Sequence, residues 1–599
     1  MKQLALLLAL IACTFVRAQD DQLADAYFED GAYEKSLTLS LKQYRRFPDK
    51  ARFDRVLRNY QALEEWKKAE LFTRKHLKKT ASDPGYFLVE LAVILRNAKD
   101  EQGEQEALEE LFEMVAQSPG RVYPIARLLE KRQLYQAALD AYQTAEKGNP
   151  SLRFHYQKAQ LQGELGDVES VFRELLLLVE QNPAYLNTVR QLAGQSLGED
   201  PEDPTNVFLK EQLLLRIQAT QDPVLTELLT WVFLQERNFR GAFRQLRGLD
   251  IRLDRQQREL FDLAGICMEN EEFATAQQIF EYIIGAGEVS PVYLPAQAGR
   301  LEAMQAELFA NPSFSRASVE MLSAEYREVL QGLPRHLDLA PAYRAWYRML
   351  AFQLGDTTQA LDGLKALSEW PDPQRTESDE TAMATADVLT FSGRHYEAIL
   401  YYARIEKERP GTDLADRAKF SRAKVAFYQS EFNWAENLFE ALKFSVSKRI
   451  ANDAMEYSIL IRDNVGLDTN TEALSLYSKA ELLYFRQRYD EALSILEDVR
   501  VGFYEHSLQD EVLWMEARIH KSRGDRALAV SVLTEILNEH SDDILADNAL
   551  MMLGRIQENE GLSNEAQATY ERLLTEHSDS FFISEARKRI RILRGETPL

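Results

Sequence analysis

Cysteine is nearly absent: the 599 residues contain two, Cys13 and Cys267. Residues 1–18 read as a leader whose removal takes Cys13 with it, and one remaining thiol closes no internal disulfide. Cys267 lies in the apolar stretch Leu263–Met268, the setting of an inert core thiol rather than a nucleophile. Glycine and proline number only 26 and 18, too few for the tight turns of an all-β fold. Beyond the leader no apolar run reaches about 18 residues, so no membrane-spanning helix is expected. No His-Glu-x-x-His or Cys-x-x-Cys spacing occurs, and there is neither a Gly-x-x-x-x-Gly-Lys-Ser/Thr loop nor a Gly-x-Ser-x-Gly elbow. Zinc, phosphate-loop and serine-hydrolase chemistry therefore have no sequence support, and neither metal nor cofactor is expected. Cations are outnumbered, 71 Lys and Arg against 95 Asp and Glu, for a formal charge of −24. A surface this acidic repels phosphate backbones, so nucleic acid is not an expected partner.

The opening residues have the layout of a secretory signal: Lys2, an apolar run from Leu4 to Cys13, and the small residue of Val16-Arg17-Ala18 before Gln19. This reading places the mature chain across an inner membrane, in a bacterial periplasm, with outer-membrane association as an extension. A rival reading takes Leu10-Ile11-Ala12-Cys13 as a lipobox and Cys13 as a lipid-modified terminus.

The strongest positive signal is recurrence. Gly524-Asp525-Arg526-Ala527-Leu528-Ala529 is followed, 37 residues on, by Gly561-Leu562-Ser563-Asn564-Glu565-Ala566. Tyr135, Ala138, Tyr142, Ala145 and Pro150 form an earlier copy. Others are centred on Ser36, Ala69, Ala107, Val171, Ala242, Ala276, Ala360, Ala398, Ala435 and Ala492. A period of this size is that of stacked helix pairs, none of which buries its apolar face alone.

These residues resemble the tetratricopeptide repeat, which has small residues at positions 8 and 20, large apolar ones at 11 and 24, and Pro at 32. The resemblance implies an all-α solenoid, a right-handed superhelix of antiparallel helix pairs with a capping helix at its C-terminus. It also implies a non-enzymatic role in binding protein or peptide. The C-terminal copies, with their Glu-His-Ser-Asp turns, look like repeat arrays of Gram-negative envelope assembly factors.

On this register the chain divides into a leader (1–18), an N-terminal array (19–290), elongated copies and a polar loop from Trp370 to Glu380 (291–378), a second array (379–447), an irregular segment (448–470), a C-terminal array (471–580) and a cap (581–599). The irregular segment arises because Ala435 and Ala492 stand 57 residues apart, about one helix more than a repeat; Ile450 to Arg462 is the expected extra helix, with a turn at 463–468. The trios His540-Ser541-Asp542 and His577-Ser578-Asp579 fall where the repeat turns, so they read as capping residues rather than triads.

The family places its concave lining at positions 2, 5, 9, 12 and 13. Carried onto this register, those positions nominate the aromatics Phe420, Phe427, Tyr428, Tyr477, Tyr484, Phe485 and Trp514. Lys424, Arg518, Lys521 and Arg555 accompany them. Aromatic and Arg side chains are the usual anchors of protein recognition. Two other roles stay open: a structural spacer acting through its convex face and ends, and a cell-wall glycan-binding module.

Overall fold

The computed structural model describes residues 21–78, 83–198, 200–253, 257–311, 314–445, 447–465, 471–541 and 543–594. The leader with Cys13 and the turn at 466–468 lie outside them. The described residues form an all-α helical repeat, with consecutive helices packed as antiparallel pairs and no strand among them.

A backbone turn organises the pairs. Gly31, Gly166, Gly355, Gly393, Gly524 and Gly561 all have φ between +75° and +87°, the left-handed region that ends a helix and that glycine enters without steric cost. Glu64, Gln133, Arg237, Glu271, Ser430 and Gln487 adopt the same conformation with φ between +52° and +62°. In each of these twelve cases the small or tolerated residue of the following helix stands five positions later. Where that residue is alanine it is fully buried: Ala69, Ala138, Ala242, Ala276, Ala360, Ala398, Ala435, Ala492, Ala529 and Ala566 are all 0% exposed. The lack of a long side chain lets the two helices of a pair approach closely. Position 8 behaves likewise in the last copy, where a Cβ on Gly554 would collide with the ring of Tyr570.

Three details depart from the sequence reading. In the copy assigned to Ala107 the left-handed turn is at Lys99, and the first buried small residue is Gly103, one helical turn earlier. The polar loop ends sooner than Glu380. Helix Thr376–Ser392 begins inside it, and the Asp372 carboxylate accepts the Ser378 N–H at 2.9 Å. The extra helix is longer than expected, Lys448–Val465.

The described residues group into two compact units, those of 1–197 with 202–228 in one and those of 198–201 with 229–599 in the other. The first unit has a core around Leu111, Leu129, Ala138, Tyr142 and Phe154. In the second unit, one core spans Ala423 to Ile519 and another runs from Leu513 to Ile590. Helix Ile583–Leu593 closes the second unit's last core with Ala586 and Ile590, while Arg589 pairs with Glu558 at 2.8 Å. No described helix is long and apolar enough to cross a membrane.

Candidate functional site

The nominated residues lie in the second unit, on the first helices of successive copies: Asp413–Tyr428, Glu472–Phe485, Gln509–Arg523 and Ala546–Asn559. The Thr412 hydroxyl caps the first of these by accepting the Ala415 N–H at 3.2 Å. Left-handed residues Ser430, Gln487 and Gly524 end the first three. Helix Asp413–Tyr428 packs directly on Glu472–Phe485, and the inserted helix Lys448–Val465 packs beside both Asp413–Tyr428 and Phe432–Glu440.

The structure separates the eleven nominated residues into three groups. Phe427 is fully buried, 5.6 Å from the rings of both Phe432 and Tyr457, and Tyr477 is 5% exposed. Both are core residues, a correction to their reading as surface anchors. Tyr428 is also buried, but one edge borders a cavity and its ring stacks on Phe485 at 6.3 Å. The register explains the miss: at the end of a helix that packs on two neighbours, consecutive positions alternate between core and groove within a third of a turn. A second group, half-buried Phe420, Lys424, Tyr484, Phe485 and Arg518, lines the same cavity of about 240 Å³. The third group stands apart from that cavity. Trp514 borders a smaller void, Lys521 is exposed, and Arg555 is held by Glu585 at 2.7 Å.

At the cavity floor lies a cluster that the sequence did not nominate as a whole. The Lys424 ammonium donates to Tyr457 Oη and to Glu481 Oε1, and the Tyr457 hydroxyl donates to the same carboxylate oxygen. Lys424 also sits 4.2 Å from the Tyr457 ring centroid and 5.1 Å from that of Tyr428; Arg518 lies 4.9 Å from that of Tyr484. Burial pulls the Lys424 ammonium below its ordinary pKa, against the opposing attraction of Glu481. Glu481 is 3% exposed, and its Oε2 has no hydrogen-bond partner among the described residues. A buried carboxylate oxygen left unpaired is costly, so this atom is a ready acceptor for a donor brought by a ligand.

Tyr457 comes from the inserted helix, and the only sequence signal for it was the 57-residue spacing. Glu481 stands at position 9, one of the lining positions, but only aromatic and cationic side chains were carried over from them, and one more acid does not stand out in so acidic a chain. Beyond the cluster, Glu456, Tyr457, Tyr477, Trp514 and Arg518 surround a void of about 30 Å³, room for one water.

The described residues of the two His-Ser-Asp trios make turn contacts, and Asp542 lies outside the described residues. The His540 ring hydrogen-bonds Asp543 at 2.8 Å, and the Ser580 N–H donates to the His577 carbonyl; both are turn contacts. Burial pushes the Cys267 thiol up to about 12, far from a reactive thiolate. Among the described residues no group of His, Cys, Asp and Glu has the arrangement of a metal site.

A family profile described as tetratricopeptide repeat matches residues 548–580. No curated protein matches. Similar solved structures include that of the APC/C hetero-tetramer Cut9-Hcn1, at 10% identity over 97% of both chains with a TM-score of 0.23. Another is Naa15/Naa10 bound to HypK-THB, at 12% identity over 96% of both chains with a TM-score of 0.28. A third is a tetratricopeptide repeat protein from Parabacteroides merdae ATCC 43184, at 11% identity over 57% of this chain and 99% of that one, with a TM-score of 0.19.

Proposed function

We propose that this chain is a non-enzymatic scaffold that holds a protein or peptide segment in the aromatic-walled cavity of its second unit. The observation that carries this reading is the pairing of that cavity with the buried, unpartnered Glu481 Oε2. Tyr428, Tyr484 and Phe485 offer flat apolar surface, and a backbone or side-chain amide donates to the carboxylate. Such a mixture of aromatic wall and one directional polar group is how pockets combine affinity with orientation. The leader-like residues 1–18 support an envelope location, periplasmic or at the outer membrane, as part of the same reading.

Site-specific photo-crosslinking in the native host tests it. A benzoylphenylalanine at Tyr484 is expected to trap a discrete partner, and Phe485→Ala is expected to abolish that adduct while the thermal transition is retained. The same label at Leu400, 70% exposed on the second helix of an earlier copy, is expected to trap nothing comparable. Adducts from Leu400 and none from Tyr484 would instead establish the convex-face organiser.

A further inference from the structure

The first unit holds a second cavity, whose charged lining is cationic. Residues 42–78 contain twelve Lys and Arg against five Asp and Glu, in a chain whose formal charge is −24. Part of this excess is consumed internally. Arg52 and Arg55 pair with Asp21 at 2.8 Å, Arg58 pairs with Asp25, Arg74 with Glu70 at 2.8 Å, and Lys68 with Glu65 at 2.6 Å. Lys42, Arg45, Arg46, Lys67, Lys75 and Lys78 are all exposed and have no ion-pair partner among the described residues.

These six cations lie on two helices, Tyr33–Arg46 and Trp66–Leu77 with its C-cap Lys78, that flank a cavity of about 570 Å³. Its walls are apolar and aromatic: Leu41, Tyr44, Tyr60, Leu71 and Phe72. Tyr44 and Phe72 meet edge to face at 4.8 Å, and Tyr44 Oη hydrogen-bonds the buried His76 ring, fixing the floor. Burial lowers the His76 pKa, so the floor is neutral at pH 7. Among the described residues no carboxylate lines the cavity; its charged lining is Arg45, Lys75 and Lys68, the last paired with Glu65. Leu71, at the mouth, is 62% exposed.

We propose that this cavity docks an acidic segment of a partner protein that inserts one aromatic or large aliphatic side chain between Tyr44, Tyr60 and Phe72. Charge complementarity selects the occupant. A single small anion needs one cation, whereas an extended segment with carboxylates on both sides of its anchor meets Arg45 on one helix and Lys75 on the other, with the remaining unpaired cations of the two helices raising the local positive potential. A cavity of this volume accepts a ring-sized anchor. The chain's own nearby acidic stretch is already committed, because Asp21 and Asp25 are held by Arg52, Arg55 and Arg58.

The test uses the full-length protein and fluorescence anisotropy of a labelled nine-residue peptide of Glu, Asp and Ser with a central Phe. Binding is expected to weaken about tenfold when the central Phe is replaced by Ser. Arg45→Ser with Lys75→Ser is expected to weaken it at least as much and to flatten its salt dependence. Leu71→Ser, an exposed change that leaves the fold intact, is expected to weaken it several-fold, and Tyr484→Ala in the second unit to leave it unchanged. Equal binding of the Phe-free peptide or of an oligothymidylate would overturn the proposal, since charge alone would then suffice. Binding of oleate through Arg45 and Lys75 with no binding of the peptide would overturn it in favour of a small amphipathic anion. Loss of peptide binding in Tyr484→Ala would place the site elsewhere.

Discussion

At the scale of single residues, the repeat depends on a backbone conformation more than on a residue type. Glycine occupies the left-handed turn in six copies, but Gln133 and Gln487 occupy it with φ of +58° and +57°, where a Cβ crowds the following carbonyl. Replacing either glutamine with glycine is expected to raise stability by about 0.5–1 kcal/mol, because the relieved strain exceeds the entropy glycine adds to the unfolded chain. Denaturant melts of Gln133→Gly and Gln487→Gly read this directly, and destabilisation by either would show that the side chain contributes more than its strain costs. The motif Gly-x-x-x-x-Ala was legible because glycine marks six of the twelve turns that stand five positions before a small or tolerated residue. The other six turns were legible only through the alanine that follows.

At the scale of elements, the inserted helix Lys448–Val465 converts a gap in the periodicity into a site. Without it the second unit would lack Tyr457, and Lys424 and Glu481 would face each other without the hydroxyl that bonds both. The side chain of Lys424 is 17% exposed and that of Glu481 3%, so removing either partner strands a buried charge. Lys424→Met and Glu481→Leu are each expected to cost about 3–5 kcal/mol. The double variant is expected to cost far less than their sum, since no charge is then left unpaired. Urea unfolding followed by circular dichroism of the four proteins measures the coupling, and strict additivity would show that the pair does not act as a unit. The spacing of 57 residues announced an extra helix. It did not announce which neighbour the helix would lean on, because that depends on the packing of Tyr457 against Phe439, stacked at 5.0 Å.

At the scale of the molecule, the contacts divide the chain into two units with separate cores. Helical repeats couple mainly to their neighbours, so a defect in one unit is expected to stay there. Tyr142→Ala, in a position 2% exposed beside Phe154 at 4.8 Å, is expected to destabilise the first unit by about 3–5 kcal/mol. Hydrogen exchange should then accelerate in helix Tyr135–Gly148 and stay unchanged in Ser563–Glu576; equal acceleration in both would mean that the units unfold as one.

Sequence alone determined the helix pairs, their period and the buried alanines, because each follows from a local pattern: a turn, then a small residue five positions later, then the next copy. It also located the stretch of chain that carries the candidate site. The tertiary structure decided which side chains the site uses. Phe427 and Tyr477 turned into the core, and Tyr457 arrived from the inserted helix, which no repeat position marks, since packing against a third helix overrides the face that periodicity assigns; Glu481 stood at a lining position and was passed over for its charge. The basic cavity of the first unit was settled the same way. Its charges were visible in the sequence, but only the folded chain shows which are paired with Asp21, Asp25, Glu65 and Glu70 and which have no ion-pair partner among the described residues.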